Sequence, residues 1–206
     1  HAAGQPGMGG GLMVTASHNP VGDNGIKMVR GEARPISGDD GLAEMEALTR
    51  QLLAEQAQAL GQGSGYAFGP LTDGSQYQPD PQLHATLDLH ASYIAKVRSF
   101  VNFPALQQAL QARADAGRPL KLVVNAGNGC AGPTFDALVD GLPLTITRVF
   151  HTPDGQFPNG VPNPMLAKCQ EDTASVVRAE HADVGIAWDG DFDRCFFFDE
   201  AGGFIE

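Results

Sequence analysis

Leu120-Lys121-Leu122-Val123-Val124-Asn125, then Ala126-Gly127-Asn128-Gly129-Cys130-Ala131-Gly132, then Pro133 to Val139, is the stretch whose reading decides the fold. A short apolar run, a glycine-rich turn and a helix-forming segment make one strand-turn-helix unit. The pattern repeats downstream: Leu144 to Phe150 reads as a strand, Leu166 to Glu180 as a helix, and Ala182 to Trp188 and Cys195 to Asp199 as strands. Upstream, Leu87 to Val101 and Ala105 to Ala116 read as helices. Strands separated by helices of this length need right-handed crossovers and a mostly parallel sheet. In such sheets, ligands meet the loops at the carboxyl ends of the strands.

The glycine run formally matches GxGxxG, the turn that cradles a dinucleotide. That reading needs an acidic residue closing the next strand to hold a ribose. The strand ends Arg148-Val149-Phe150-His151, with Asp154 beyond it inside a turn, so a tight strand-to-helix turn is the better reading.

The N-terminal half is organised differently. The apolar runs Gly11 to Ala16 and Gly25 to Val29 read as short strands joined by a loop containing Asn19-Pro20 and Gly22-Asp23-Asn24-Gly25. Pairing would return Lys27 towards Ser17. A serine hydroxyl needs a neighbouring base or an already loaded covalent group to react, and His18 and Lys27 are proton carriers. The same residues also suit an ordinary polar hairpin. Asp39 to Leu60 places Leu42, Met45, Leu48, Leu52 and Leu60 at helical spacing, with Asp39 and Asp40 suited to its N-terminus. Gly61 to Gln82 is rich in Gly, Pro, Ser and Asp and is the expected domain boundary, giving domains over 1–84 and 85–206. His84 and His90 lie too far apart for ligands on one helix face and read as surface or capping residues.

Asp189-Gly190-Asp191-Phe192-Asp193 carries the strongest chemical signal. Three carboxylates at alternate positions after an apolar strand repel one another unless a cation neutralises them, and hard oxygen ligands suit magnesium, manganese or calcium. An EF-hand is excluded: its sixth position, where glycine makes the sharp turn, is Arg194, and both flanks look like strands. Arg194 suits an anion that also touches the metal, or a simple ion pair with its acidic neighbours. Phe157-Pro158-Asn159-Gly160-Val161-Pro162-Asn163-Pro164 reads as a rigid loop after a strand.

Composition narrows the classes. With 24 acidic against 13 basic residues and a formal charge of −11, nucleic acid and anionic membranes are poor partners. No apolar run approaches the roughly 18 residues of a membrane span. The three cysteines, Cys130, Cys169 and Cys195, lack CxxC spacing and suit reduced, buried thiols in a cytoplasmic protein. Opening at His1 and closing on the extended Phe204-Ile205-Glu206, with no leader evident, the 206 residues read as a piece of something longer.

Together, a serine with proton carriers, a three-carboxylate cation site and an anion-binding arginine make a coherent set for phosphoryl transfer. Thr15-Ala16-Ser17-His18-Asn19-Pro20, Asn24-Gly25-Ile26-Lys27, Asn125-Ala126-Gly127-Asn128-Gly129, the 157–164 loop and Asp189 through Arg194 resemble, in order, the motifs of the α-D-phosphohexomutases, closest to the bacterial phosphomannomutase branch. The resemblance implies two α/β domains with mostly parallel mixed sheets flanked by helices, the first incomplete. Ser17 would be the phosphorylated serine, Lys27 the general base, His18 an acid/base or positioning group and Arg194 a residue at the phosphoserine. Asp189, Asp191 and Asp193, with Ser17 as a further ligand, would hold Mg2+. The implied reaction interconverts mannose 6-phosphate and mannose 1-phosphate through a hexose 1,6-bisphosphate. Phe192, where many members have glycine, tilts the likeness towards mannose over a phosphoglucomutase or dual-specificity enzyme. The family has four domains, so the 206 residues alone should not turn over substrate. The reading from another class is a non-catalytic cation-binding regulatory domain.

Overall fold

A computed structural model describes residues 1–20, 22–59 and 85–205. The chain divides into two units, His1–Leu12 with Lys27–Leu89, and Met13–Ile26 with His90–Glu206. The proposed linker, Gly61 to Gln82, lies outside the described residues, as do Leu60 and His84. Among the described residues no helix is long and apolar enough to cross a membrane.

Strands β1 (Gly10–Val14) and β2 (Ile26–Arg30) form a two-stranded sheet, as the two apolar runs predict. In the first unit, helix α1 (Ala43–Ala59) starts later than expected. Gly38–Leu42 instead forms a π-type turn in which Asp40 leaves helical geometry, at φ −137°. Asp40 is not a cap because its carboxylate takes Arg30 Nη1 at 2.6 Å. That hydrogen bond and the arginine's charge hold Asp40 below the usual carboxylate range. The stripe Leu42, Met45, Leu48 and Leu52 is exposed.

In the second unit, α2 (His90–Arg98) and α3 (Phe103–Asp115) precede β3 (Leu120–Asn125), α4 (Ala131–Val139), β4 (Leu144–Val149), α5 (Ala167–Glu180), β5 (Val184–Trp188), β6 (Cys195–Phe198) and β7 (Phe204–Ile205). The strand order is β4-β3-β5-β6-β7. β3 pairs with β4 and β5 in parallel, while β5–β6 and β6–β7 are antiparallel, so the sheet is mixed. β3 is an interior strand, paired on both edges, and its Leu122, Val123 and Val124 are apolar and buried because helices cover both its faces. Leu122 and Val124 pack with Ala131, Phe135 and Trp188 on one face, and Val123 packs with Ala174, Val177 and Phe198 on the other. With α4 and α5 on opposite faces, the chain reverses direction across the sheet at β3. Loops leaving the carboxyl ends of β3 and β5 border the resulting crevice.

Local capping fixes this scaffold. Asn102 Oδ1 accepts the Ala105 N–H at 3.2 Å to start α3. Asp183 accepts the Lys121 N–H at 2.8 Å and Arg113 Nη2 at 3.1 Å, tying α3, β3 and the approach to β5 together. The backbone bond, followed by the arginine, holds this carboxyl below its usual range against the cost of partial burial. Helix α4 ends without its own cap. Arg98 supplies one, donating from Nε to Leu138 O at 3.0 Å and from Nη2 to Ala137 O at 3.0 Å and Asp140 O at 2.8 Å. Its guanidinium also lies 4.4 Å from the Phe103 ring centroid. Arg98→Ala leaves these carbonyls without that donor and is expected to cost about 2 kcal/mol, or about 4–8 °C of melting temperature, measured by thermal unfolding.

The cysteine expectation holds only in part. All three are free thiols, but Cys130 and Cys195 are exposed and Cys169 half-buried. Cys130 stands in the glycine turn before α4, and Cys195 opens a hairpin strand, so neither position is enclosed by both helical layers.

Candidate active site

The aspartate stretch is a hairpin loop. Trp188 pairs with Cys195 across β5 and β6, and residues 189–194 span the turn at the carboxyl end of β5. Strands on both sides are what separates this loop from a helix-flanked EF-hand. Asp189 is completely buried, Asp191 half-buried and Asp193 exposed. One carboxylate oxygen from each lies within 4.8 Å of the others.

The loop after β1 meets this hairpin. Ser17 Oγ lies 3.2 Å from Asp189 Oδ2, 3.2 Å from Asp191 Oδ1 and 3.1 Å from His18 Nδ1. Thr15 Oγ1 donates to Asp191 Oδ2 at 3.0 Å and accepts the Ser17 N–H at 2.9 Å, which fixes both the loop and the carboxylate. Ser17 itself has φ +55°, in the left-handed region a serine enters only when its surroundings hold it there. A hydroxyl has one proton, yet three acceptors surround Oγ. The excess of lone pairs, all on hard oxygens apart from one imidazole nitrogen, fits a divalent cation of the magnesium type.

Arg194 answers the charge of the buried carboxylate. Its Nε and Nη2 both reach Asp189 Oδ2, at 2.9 and 2.6 Å, and its backbone N–H reaches Oδ1 at 3.1 Å. Nη2 also contacts His18 Nδ1. A guanidinium can only donate, so Nδ1 is the accepting nitrogen of His18 in this arrangement. Nε lies 3.6 Å from Asp193 Oδ1.

Close backbone packing holds the two loops together. A Cβ on Gly190 would stand 2.6 Å from Ser17 O, and one on Gly129 would stand 2.6 Å from Gly190 O. Cys130 N donates to Gly190 O at 3.0 Å. The GxGxxG-like turn therefore supports the aspartate loop from below. A second layer follows: Asn125 bonds Thr173 and Gly127, and Asn159 Nδ2 reaches Asn128 Oδ1 at 2.9 Å, tying in the 157–164 loop.

Phe192 has φ +67°, the conformation that makes glycine the easy choice at this position. Its ring offsets the strain by packing edge-on against Trp188, with centroids 5.6 Å apart.

The structure thus brings Ser17, His18, Asp189, Asp191 and Arg194 into one constellation, with Asp193 at its exposed edge. Lys27 stands in the other unit, exposed on β2. Sequence reasoning missed the anchoring hydroxyl of Thr15 and the contact made by Gly190. The signal for Thr15 was its position two residues before Ser17, the spacing at which a threonine side chain turns back onto backbone N–H.

Residues 91–202 match the phosphoglucomutase/phosphomannomutase alpha/beta/alpha domain II, and residues 1–56 match domain I. The chain belongs to the phosphoglucomutase/phosphomannomutase family. Its similarity to "Phosphohexose mutases" of Xanthomonas campestris pv. campestris (strain B100) is 46% identity over 197 residues, 96% of this chain and 37% of that protein. It is 44% identical over 208 residues to a phosphomannomutase of Escherichia coli, covering 97% of this chain and 39% of that one. The crystal structure of a phosphoglucomutase/phosphomannomutase family protein from Burkholderia thailandensis superposes with a TM-score of 0.65 at 29% identity, over 94% of this chain and 34% of that one. The chain therefore spans well under half the length of the relatives it matches. In this family member, Ser17 falls within the domain I match and Asp189 to Arg194 within the domain II match.

Proposed function

We propose that this chain carries the phosphoryl-transfer centre of a cytoplasmic phosphomannomutase interconverting mannose 6-phosphate and mannose 1-phosphate, with the domains divided at residues 84 and 85. The observation that supports this best is Ser17 Oγ at 3.2 Å from both Asp189 and Asp191, residues 172 and 174 positions away. A serine placed between carboxylates is disfavoured as a free alkoxide and needs His18, 3.1 Å away, to take its proton whenever it attacks. It suits a carrier whose phosphate is already loaded. The free thiols and the 44–46% identity to phosphomannomutase and phosphohexose mutases fit the reading.

In the proposed reaction, a hexose hydroxyl attacks the phosphorus on Ser17 as its proton passes to Lys27. The P–Oγ bond breaks as His18 gives Oγ a proton, leaving a hexose 1,6-bisphosphate and a free serine held by Asp189, Asp191 and His18. After the bisphosphate turns round, Ser17 Oγ takes its other phosphate as the hydroxyl proton returns to His18, and Lys27 gives its proton to the departing sugar oxygen. His18 orients Oγ, and Arg194 receives phosphoryl oxygens. Asp189, Asp191 and Asp193 would hold Mg2+ with the phosphoserine, and Mg2+ would supply charge to the phosphoryl oxygens and polarise the phosphorus. A phosphoserine carries about −1.5 to −2 charge, so beside these carboxylates it requires that counter-charge. The 206 residues alone are proposed to be inactive, because they span 37% of a relative.

The test is covalent. Full-length protein treated with a hexose 1,6-bisphosphate should gain one phosphate by intact mass, mapped by peptide fragmentation to Ser17. Phosphate on another residue, or none, would sink the carrier role. Comparing turnover of mannose and glucose 1-phosphates then separates this reading from a phosphoglucomutase or dual-specificity enzyme.

A further inference from the structure

Asp189 is completely buried, and a buried carboxylate persists only when paired. Its partner is not diffuse: Arg194 puts two N–H groups on the single oxygen Oδ2, at 2.9 and 2.6 Å. A carboxylate oxygen has about two lone pairs, so the guanidinium fork takes most of the acceptor capacity of Oδ2. Yet Oδ2 is also the Asp189 oxygen that Ser17 Oγ reaches, at 3.2 Å, so a cation held between Ser17, Asp189 and Asp191 would meet the fork there. The fork and such a cation compete for the same atom.

We propose that Arg194 is the built-in counter-cation of this site: it holds Asp189 Oδ2 while no divalent ion is bound, and must leave that oxygen when one binds. Loading the ion then frees the guanidinium, already in contact with His18 beside Ser17, to take an anion there. Arg194 is a positioning residue in this step. It keeps the buried carboxylate neutralised, and it links cation binding to anion capture through one side-chain movement. The idea rests on the cation site of the proposed function and adds an exchange to it.

Removing a competitor tightens the ligand it competes with. Mn2+ alone is the probe, titrated into full-length protein free of phosphate on Ser17, with binding read from the loss of the free-ion paramagnetic signal. Arg194→Gln removes charge and fork together. Arg194→Lys keeps the charge and loses the fork, which makes it the deciding variant. Both are expected to bind Mn2+ about tenfold more tightly than the parent, the equivalent of about 1.4 kcal/mol. Under chelator, Arg194→Gln should melt below the parent, with the gap closing in saturating Mn2+.

If Arg194→Lys binds like the parent while Arg194→Gln binds more tightly, the arginine only repels the ion and the exchange is overturned. Parent-like or weaker binding by both variants overturns it while leaving the cation site standing. Absence of Mn2+ binding in all three proteins means that the carboxylates hold no cation without the phosphoserine, and it overturns the exchange, which requires that they do. Should Arg194→Gln not fold, Arg194→Lys decides alone, with tighter binding supporting the exchange and parent-like binding overturning it.

Discussion

Ser17→Ala is expected to lower turnover of the full-length protein by about 10⁴-fold or more and to abolish phosphate uptake from a hexose 1,6-bisphosphate, measured by coupled assay and intact mass. The magnitude follows from the role. Loss of a residue that forms and breaks the covalent bond removes the reaction path, whereas loss of a binding contact only weakens affinity. Turnover within tenfold of the parent would mean that Ser17 is no carrier. A companion variant separates chemistry from folding. Ser17 has φ +55°, so alanine at this position would keep the strained backbone while glycine would relax it. Ser17→Gly should therefore be equally inactive, yet more stable than Ser17→Ala by about 1 kcal/mol, a difference of about 2–4 °C in thermal unfolding. That ordering would show strain held at the reactive residue, as expected where the surroundings and not local preference set the geometry.

The second unit was legible because its strands and helices report burial directly. Leu122, Val123 and Val124 are apolar on both faces of β3 since helices cover both, and the strand spans Leu120–Asn125 as their run predicts. The antiparallel β6 and β7 were less legible as neighbours, since pairing direction depends on the 189–194 turn and the 199–203 turn and not on composition. In the first unit, apolar spacing found α1 but misplaced its start. Asp40 has the chemistry of a cap, and only the arrival of Arg30 in space decides that it pairs instead. The site divides in the same way. Carboxylates at alternate positions announce themselves by mutual repulsion, so Asp189, Asp191 and Asp193 could be found from their spacing. Gly190 between them looked like mere turn chemistry. Its importance is a distance to a backbone oxygen far away in sequence, and a single sequence carries no trace of that.

That distance leads to the second large effect. A Cβ at position 190 would lie 2.6 Å from Ser17 O and 3.5 Å from both Phe157 Cζ and Pro162 Cγ. Backbone on one side and a rigid proline loop on the other leave it no direction of escape, so Gly190→Ala must push the Ser17 loop outward. Ser17 Oγ is held at 3.2 Å by its two carboxylates, and reactive geometry tolerates little displacement: a shift of about 1 Å costs about 10²-fold in rate. Gly190→Ala is therefore expected to reduce kcat about 10²-fold. The accompanying stability loss should be about 1–3 kcal/mol, in the range for an overpacked contact. Asp189, Asp191 and Asp193 remain in place in this variant, so Mn2+ binding should persist while phosphate uptake on Ser17 slows. A kcat within threefold of the parent would show that the Ser17 loop can move without loss, and that the close approach at Gly190 is incidental to the chemistry. Loss of Mn2+ binding together with kcat would instead place the damage in the aspartate loop itself, making Gly190 a residue of the cation site and not the spacer between two loops.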